Sequence, residues 1–134
     1  MMVVDIYTDG SCLSNPNGPG AWAYIITEKD GFLFVDSGGE ISTTNNRMEL
    51  KAVIEVLKVI DTEIEYKIFS DSQLTINCAI GKWKRKANLD LWSEYDKYIK
   101  DKKVVFEWVK AHNGNKYNEM VDKIAYEEAK KIRV

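Results

Sequence analysis

Some hydrophobic residues of the chain occur in short continuous runs, and others recur at helical spacing, three or four residues apart. These two patterns predict the secondary structure. Apolar and aromatic runs predict five strands, at residues 3–9, 21–27, 32–36 or slightly beyond, a run through Ile68-Phe69, and 104–109. Helical patterns predict four helices, one opened by Thr43-Thr44-Asn45-Asn46 and the others at about 72–80, 91–99 and 118–132. The order βββαβα followed by αβα predicts an α/β fold with a mixed sheet flanked by helices.

Glycine, proline and polar residues separate these elements. Residues 14–20 hold two prolines and two glycines, which predicts a loop. Lys29-Asp30-Gly31 predicts a hairpin turn, so the first three strands form an antiparallel meander that is expected to end at Gly38-Gly39-Glu40. The helix that follows has the spacing i, i+3, i+4, i+7 in its apolar residues Val53, Val56, Leu57 and Ile60.

Two strand ends carry the same chemistry, 62 positions apart. Ile6-Tyr7-Thr8-Asp9-Gly10 and Ile68-Phe69-Ser70-Asp71-Ser72 each contain two apolar residues, a hydroxyl, an aspartate and a small residue. If the strands are parallel neighbours, Asp9 and Asp71 meet at the carboxyl edge of the sheet, where open α/β folds bind ligands. Adjacent carboxylates repel unless a cation lies between them, so the pair predicts a metal site. Taken alone, Asp9-Gly10 is more typical of a simple turn, since Asp-Gly is among the commonest turn dipeptides.

Further titratable residues are candidates for the same site, and each has a structural alternative. Glu49 follows Asn46 by three residues and is either a metal ligand or the glutamate of a capping box. Asp71 is alternatively the N-cap of the second helix. Asp122, in the first turns of the last helix, binds metal or only complements the helix dipole. His112, the only histidine, is a functional group or a solvated loop side chain.

The residue types favour phosphodiester chemistry on a nucleic acid. Carboxylates from several elements suit hard divalent cations, and two such ions can activate a water and stabilise a leaving oxygen. Amides that can reach phosphates, sugars or base edges occur at Asn15, Asn45, Asn46 and Gln73. Trp83 lies in the most basic stretch, 81–86, where it offers stacking beside phosphate contacts or is simply a packed aromatic on a solvated face.

Length and composition narrow the possibilities. The 134 residues, 45% hydrophobic, predict one domain over 1–134. The sequence shows no apolar run of membrane-spanning length and no signal-peptide pattern, so we expect a cytoplasmic protein with no membrane partner. Cys12 and Cys78 form no metal-ligand cluster and are expected to be reduced. A net charge of -2 is unusual for a nucleic-acid binder, so a local basic patch must compensate.

A series of motifs runs through the chain. In order they are Asp9-Gly10-Ser11-Cys12, Gly38-Gly39-Glu40, Thr44-Asn45-Asn46-Arg47-Met48-Glu49-Leu50, Ser70-Asp71-Ser72-Gln73, Asn88-Leu89-Asp90-Leu91-Trp92 and Trp108-Val109-Lys110-Ala111-His112. Asn118-Glu119 then leads to Asp122. In these motifs and their order the sequence resembles type 1 ribonuclease H along essentially its whole length.

The resemblance implies a ribonuclease H-like fold, a five-stranded mixed sheet in which the strands of Asp9 and Asp71 are central neighbours. It implies an endonuclease that hydrolyses the RNA strand of RNA/DNA hybrids by a two-metal-ion mechanism and leaves 3′-hydroxyl and 5′-phosphate ends. Asp9, Glu49, Asp71 and Asp122 would hold two Mg²⁺ ions, for which Mn²⁺ is an expected substitute. His112 would assist proton transfer or product release, and we expect a monomer.

The resemblance also implies which residues contact each strand of the hybrid. The RNA strand would be contacted by Cys12, Ser14, Asn15, Glu49 and Gln73, partly through backbone groups. The DNA strand would be contacted by Asn45, Asn46 and Trp83, with a DNA phosphate seated by Thr44 and Asn88. Only RNA offers a 2′-hydroxyl in the wide minor groove, which gives this discrimination a physical basis.

Two features depart from the family pattern. Asn17 lies where the familiar pattern runs directly from proline to glycine, so the contacts of Ser14 and Asn15 are expected to shift. Many bacterial members carry a long basic arm between the second and third helices, whereas here only residues 82–86 remain. We therefore expect weak hybrid binding that depends on this stretch, with Lys84 and Arg85 among the phosphate contacts.

Two other functions are open on the sequence. Integrases and junction resolvases share the acidic sheet edge and cut DNA, although the amides and Cys12 favour RNA/DNA hybrids. A non-catalytic nucleic-acid module would use the acids as caps and around one structural ion. The presence of four carboxylates together with His112 argues against that module.

Overall fold

Five strands and four helices form in the part of the chain that the computed structural model describes, residues 3–28, 31 and 33–132. The strands are β1 (Val3–Cys12), β2 (Gly18–Thr27), β3 (Leu33–Thr43), β4 (Glu65–Ser70) and β5 (Lys103–Trp108). The helices are α1 (Asn45–Leu57), α2 (Gln73–Ala79), α3 (Leu89–Ile99) and α4 (Lys116–Lys130). The strand order is β3-β2-β1-β4-β5, antiparallel from β3 to β1 and parallel from β1 to β5, so the predicted mixed sheet is confirmed.

The central strands β1 and β4 are parallel neighbours with a register that matches the repeated motif. Val3 pairs with Glu65 and Tyr7 with Phe69, an offset of 62 residues. The same offset separates Asp9 from Asp71, so the two aspartates lie level at the carboxyl edge of the sheet. The predicted position of this pair is therefore confirmed.

Alternating side chains of the central strands build a core on each face of the sheet. On one face Ile6 and Ile68 pack with residues of α1 and α3, and on the other Tyr7 and Phe69 pack with residues of α4. The predicted apolar face of α1 is confirmed, because Val53, Val56 and Leu57 are buried. Ile60 is also buried, but it lies beyond the end of the helix at Leu57. Within the described ranges, no helix combines the length and apolarity that a membrane span requires.

Several strands are longer than predicted. β1 continues to Cys12, so Asp9-Gly10 lies inside a strand and the turn interpretation is wrong. β2 begins at Gly18, inside the predicted loop, and β3 runs through Gly38-Gly39-Glu40 instead of ending there. A Cβ at Gly38 would lie 2.6 Å from the Trp22 ring, so this glycine marks close packing within a strand. Of the predicted turn and strand start, Lys29, Asp30 and Phe32 lie outside the described residues.

The helix starts also differ from the predictions, because hydroxyls and Asn115 supply the caps. The Thr44 hydroxyl caps α1 by accepting from the Arg47 N–H at 3.2 Å, so Glu49 lies past the first turn and forms no capping box with Asn46. Ser72, rather than Asp71, caps α2. α3 and α4 each begin two residues earlier than predicted, α4 behind an Asn115 cap, and α4 ends at Lys130. Neither Glu49 nor Asp71 is therefore used as a cap.

Gly10 marks the closest approach of α1 to β1. A Cβ added at this position would collide with the backbone nitrogen of Glu49 and the carbonyl carbon of Met48. Backbone atoms cannot swing aside as the tip of a side chain can, so the crossing of α1 over β1 requires glycine here. The same approach lets the Gly10 N–H donate to Glu49 Oε1 at 2.6 Å.

We expect Gly10→Ala to lower the free energy of unfolding by about 2 to 3 kcal/mol, because the added methyl must push α1 away from β1. Urea denaturation of the purified variant measures this change. Gly39→Ala is the matched control, since its Cβ would meet the flexible tip of Ile132 at 2.5 Å and should cost clearly less. Equal losses in both variants would contradict the special role of Gly10.

Candidate active site

Three carboxylates from three different elements converge at the carboxyl edge of β1 and β4. Asp9 lies in β1, Glu49 in α1 and Asp71 directly after β4, and one oxygen of each lies within 4.8 Å of the others. Asp9 and Glu49 are each only 3% exposed, and Asp71 is partly buried. The sheet register and the crossing of α1 thus bring together residues that are up to 62 positions apart in sequence.

Asp122 joins this group from α4, on the opposite face of the sheet. Its carboxylate is close enough to help raise the pKa of Asp9 and, through its charge, that of Asp71. The Asp122 side chain is 39% exposed, so it lies on the more open side of the group. We call Asp9, Glu49, Asp71 and Asp122 the carboxylate cluster.

The carboxylate cluster is electrostatically unfavourable by itself. Burial raises the pKa of Asp9 far above its usual range, and the charge of Glu49 raises it further. Burial also raises the pKa of Glu49, although the Gly10 N–H opposes the shift. The pKa of Asp71 is raised by partial burial and then by the charge of Asp122. The cluster therefore tends to retain protons at neutral pH, and a bound cation would displace them.

One backbone N–H orients two of the carboxylates. The Gly10 N–H lies 2.9 Å from Asp9 Oδ1 and 2.6 Å from Glu49 Oε1, so it donates to both. The other oxygens of these carboxylates, Asp9 Oδ2 and Glu49 Oε2, are buried and have no hydrogen-bond partner among the described residues. Burial of an unpartnered carboxylate oxygen is costly, and hard oxygen donors are what Mg²⁺ prefers. The residues therefore fit the divalent ion that the sequence predicts.

Two residues that support Asp71 went unrecognised in the sequence. The side chain of Asn118, in α4, is 2% exposed, and its amide opposes the raised pKa of Asp71. Trp108 Nε1 donates to the backbone carbonyl oxygen of Asp71 at 3.1 Å. Both residues occur in the motifs quoted above, but only the packing of α4 and β5 shows that they meet at Asp71.

His112 lies on the solvent side of Asp122, in the predicted loop. Its Nδ1 is 3.9 Å from Asp122 Oδ2, and its side chain is 77% exposed. The backbone of His112 is left-handed, with φ 54°, in a loop that also contains Gly114 at φ 81°. The imidazole is therefore beside the carboxylate cluster and in contact with solvent at the same time.

The loop after β1 is fastened to the start of α1. Asn15 Oδ1 accepts from the Asn45 N–H at 3.0 Å, and Cys12 Sγ lies 3.4 Å from the Thr43 carbonyl oxygen. The additional residue Asn17 is left-handed, at φ 71°, and its N–H donates to the Thr43 carbonyl oxygen at 2.8 Å. The predicted RNA-side residues Cys12 and Asn15 therefore lie next to the predicted DNA-side residue Asn45.

A cleft of about 150 Å³ lies beside the amino-terminal half of α1. Its polar lining includes Asn46, Lys84, Lys86 and Asn88, and its apolar lining includes Leu74 and Trp92. Trp83, 43% exposed, and Gln73 lie on the exposed surface of the α2 region. Three of the predicted substrate residues, Asn46, Lys84 and Asn88, thus share one cleft with Lys86.

The contacts of Arg85 differ from the expectation that its guanidinium faces a phosphate. Its guanidinium donates to both carboxylate oxygens of Asp96, at 2.9 and 2.8 Å, and lies 4.3 Å from the centre of the Trp92 ring. Its Nε also donates to the Cys78 carbonyl oxygen at 3.2 Å. Arg85 therefore anchors the basic stretch to α3, which is a structural role, and Lys84 is left as a cation lining the cleft.

The chain is similar to known ribonucleases H over nearly its full length. A family model described as RNase H matches residues 2–130. A ribonuclease H of Campylobacter jejuni is 47% identical over 145 residues, which cover 98% of this chain and 94% of that protein. Ribonuclease HI of Helicobacter pylori is 42% identical over 139 residues, which cover 98% and 96%.

Solved structures agree with this relationship. The crystal structure of LC11-RNase H1 in complex with RNA/DNA hybrid has a TM-score of 0.81 and 25% sequence identity to this chain, and the match covers 96% of this chain and 97% of that one. A structure of LC11-RNase H1, described as isolated from compost by a metagenomic approach, has a TM-score of 0.84. Because the family model spans nearly the whole chain and the relatives are 42 to 47% identical to it, the chain belongs to the ribonuclease H family of hydrolytic endonucleases.

Proposed function

We propose that the chain is an endoribonuclease that hydrolyses the RNA strand of RNA/DNA hybrids and leaves 3′-hydroxyl and 5′-phosphate ends. The observation that carries the proposal is the convergence of Asp9, Glu49 and Asp71, with oxygens within 4.8 Å of one another. The hybrid seen with LC11-RNase H1 supports the choice of substrate. We also propose that the enzyme acts as a monomer whose single domain supplies the whole site.

The carboxylate cluster is proposed to hold two Mg²⁺ ions, with Mn²⁺ as a possible substitute. When bound, the ions would supply activation of the attacking water and stabilisation of the leaving oxygen. Asp9 and Glu49 each use one oxygen to accept from Gly10 and keep the other unpartnered and buried, which suits them as ion ligands. Asn118 lowers the pKa of Asp71 and so favours the charged form that binds a cation, and Asp122 adds a fourth carboxylate from α4.

His112 is proposed to carry a proton during turnover. Hydrolysis forms a bond from the water oxygen to phosphorus, breaks the bond to the 3′-oxygen and leaves that oxygen in need of a proton. The imidazole lies 3.9 Å from Asp122 and is 77% exposed, so it can exchange protons with solvent while it stays beside the site. Release of the 5′-phosphate product is a second step that this placement could assist.

Selection of the hybrid is proposed to arise at the junction between the loop after β1 and the start of α1. Cys12, Ser14, Asn15, Glu49 and Gln73 would follow the RNA strand and sense its 2′-hydroxyls. The DNA strand would lie on Asn45, Asn46 and Trp83, with one phosphate held by Thr44 and Asn88. The hydrogen bond from the Asn45 N–H to Asn15 Oδ1 supports this arrangement, because it fixes one group of contacts relative to the other.

Incubation with labelled RNA/DNA hybrid, DNA duplex and RNA duplex, each with and without chelator, tests the proposal directly. We expect cleavage of the RNA strand of the hybrid only, lost when the divalent ion is removed. Cleavage of the DNA duplex would instead favour an integrase-like or resolvase-like enzyme. Binding of the hybrid without any cleavage would favour the non-catalytic module.

The matched control for this experiment is Asp71→Asn, which retains the size of the side chain but removes a charged ligand. It should abolish turnover in Mg²⁺ and leave the circular dichroism spectrum unchanged, since Asp71 caps no helix. Near-normal hydrolysis by this variant would contradict the assignment of Asp71 as an ion ligand.

Asp9→Asn should stabilise the metal-free protein. The pKa of Asp9 is raised in the folded state, so folding retains a proton and stability falls as pH rises above about 4, the ordinary range for aspartate. The variant should therefore be more stable than the parent at pH 7 by more than about 1.4 kcal/mol, the equivalent of one pKa unit. Urea denaturation in chelator measures the difference, which should disappear near pH 3. A variant less stable than the parent at pH 7 would refute this account of the cluster.

His112→Ala should lower kcat by about 10²- to 10⁴-fold with little change in KM, because a proton carrier acts on the chemical step. Steady-state kinetics on a labelled hybrid separate the two constants. His112→Gln is a useful companion, since it retains hydrogen bonding but cannot carry a proton. A rise in KM alone would make His112 a substrate contact.

A further inference from the structure

Arg47, in the first turn of α1, ties that helix to the start of α3. Its Nη1 donates to Asn88 Oδ1 at 3.2 Å and to Asp90 Oδ1 at 3.0 Å, and its Nη2 donates to Asp90 Oδ2 at 2.8 Å. The two bonds to Asp90 have the parallel fork geometry of a strong guanidinium–carboxylate pair. One guanidinium therefore contacts two side chains that are more than forty residues away in sequence.

Asn88 does not cap the helix that it precedes. It occupies the N-cap position of α3, where an asparagine normally accepts from the N–H groups of the first turn. Here it makes no such cap, and its backbone is left-handed, with φ 57° and ψ 37°. Its Oδ1 accepts from Arg47 instead. The Asn88 side chain therefore serves the contact with α1 rather than its own helix.

The chemistry of arginine decides which way the Asn88 amide faces. A guanidinium has only donors, so only the oxygen of an amide can face it. The two N–H donors of Asn88 Nδ2 must then face away from Arg47. Asn88 also lines the 150 Å³ cleft together with Lys84 and Lys86. An amide that presents donors beside two ammonium groups suits an oxyanion that only accepts, such as a phosphodiester.

Arg47 itself is not a free cation. Asp90 neutralises it at 2.8 Å, and Arg47 in turn holds the pKa of Asp90 at about 2. The pair therefore stays ionised at every pH at which the enzyme would work, and it adds almost no net charge for a phosphate to sense. Any effect of Arg47 on an anion in the cleft must then pass through the orientation of Asn88.

We propose that Arg47 is a positioning residue, which holds the Asn88 amide so that it donates to a backbone phosphate of the DNA strand of the hybrid. The inference rests on the proposed function and assigns separate roles in phosphate binding to three residues. Lys84 supplies charge, Asn88 supplies the directional hydrogen bond, and Arg47 acts only through Asn88.

A double-mutant cycle on hybrid binding tests this dependence. Each variant is made in the Asp71→Asn background, so that no turnover occurs, and the dissociation constant is measured by fluorescence anisotropy. Asn88→Ala and Arg47→Met, the latter always made together with Asp90→Asn so that the neutral pair is removed as a whole, should each weaken binding about 10-fold, the usual cost of one hydrogen bond to a charged group. The double variant should also be weaker by only about 10-fold. A loss of about 100-fold, as expected for independent contacts, would overturn the proposal.

The salt dependence distinguishes positioning from direct contact. Arg47→Met, made together with Asp90→Asn so that no unpaired carboxylate is left, should leave the slope of log K against log salt unchanged, because the group that it misplaces is a neutral amide. Lys84→Ala is the matched control and should reduce the slope by about 0.7 to 0.9. An equal reduction in Arg47→Met would mean that Arg47 neutralises a phosphate itself, and the proposal would be wrong.

Asn88→Asp is a second variant that tests the proposal even if Asn88→Ala fails to fold. Its carboxylate can still accept from Arg47, so the thermal unfolding midpoint should not fall, but the donors facing the cleft are replaced by acceptor oxygens. The variant should bind the hybrid more weakly than Asn88→Ala. Binding as tight as the parent's would overturn the proposal. Failure of the parent itself to bind hybrid would remove the proposed function, whereas normal binding by the parent with independent effects of Arg47 and Asn88 would remove only this inference.

Discussion

The contact of Gly10 with two carboxylates is the constraint on which the rest of the site depends. Its N–H bonds the adjacent Asp9 within β1, and it reaches Glu49 only because α1 crosses β1 at a distance that excludes any side chain. This crossing in turn requires the buried face of α1 to pack on the sheet, which places Glu49 level with the end of β1. A single backbone hydrogen thus links the packing of the main core to the orientation of the catalytic candidates.

The core that packs around this contact explains why the fold tolerates an unfavourable group of charges. Burial raises the pKa of Asp9 and of Glu49, and each leaves one buried oxygen without a partner in the described residues. Such groups cost stability unless a cation joins them. The two-sided core, with α1 and α3 on one face and α4 on the other, stabilises the arrangement against this cost. The buried carboxylates therefore lower the stability of the metal-free protein, and a bound divalent ion would restore it.

Two arginines illustrate how an acidic protein arranges its cations around such a site. Arg47 is bound in a fork to Asp90, whereas Arg85 donates from one nitrogen, Nη1, to both oxygens of Asp96. Both aspartates belong to α3, so both arginines hold that helix in place. Arg85 does so from the basic stretch, which it fixes on Trp92. The exposed lysines are left to face solvent and any polyanion. The ordering of the segment and its positive charge are therefore supplied by different residues.

The order of elements, the mixed sheet and the level placement of Asp9 and Asp71 followed from the sequence, because apolar periodicity and the offset of 62 residues are local or repeated patterns. The family motifs likewise indicated Glu49, Asp122 and His112 before any distance was available. Strand ends and helix caps did not follow, because Gly38 and Gly10 are breakers in sequence but close-packing positions in three dimensions. The role of Arg85 was also decided by tertiary structure alone, since no local pattern shows that Asp96 and Trp92 lie beside it. Sequence thus determined which chemical groups are present, whereas the crossing of helices over the sheet determined which of them meet.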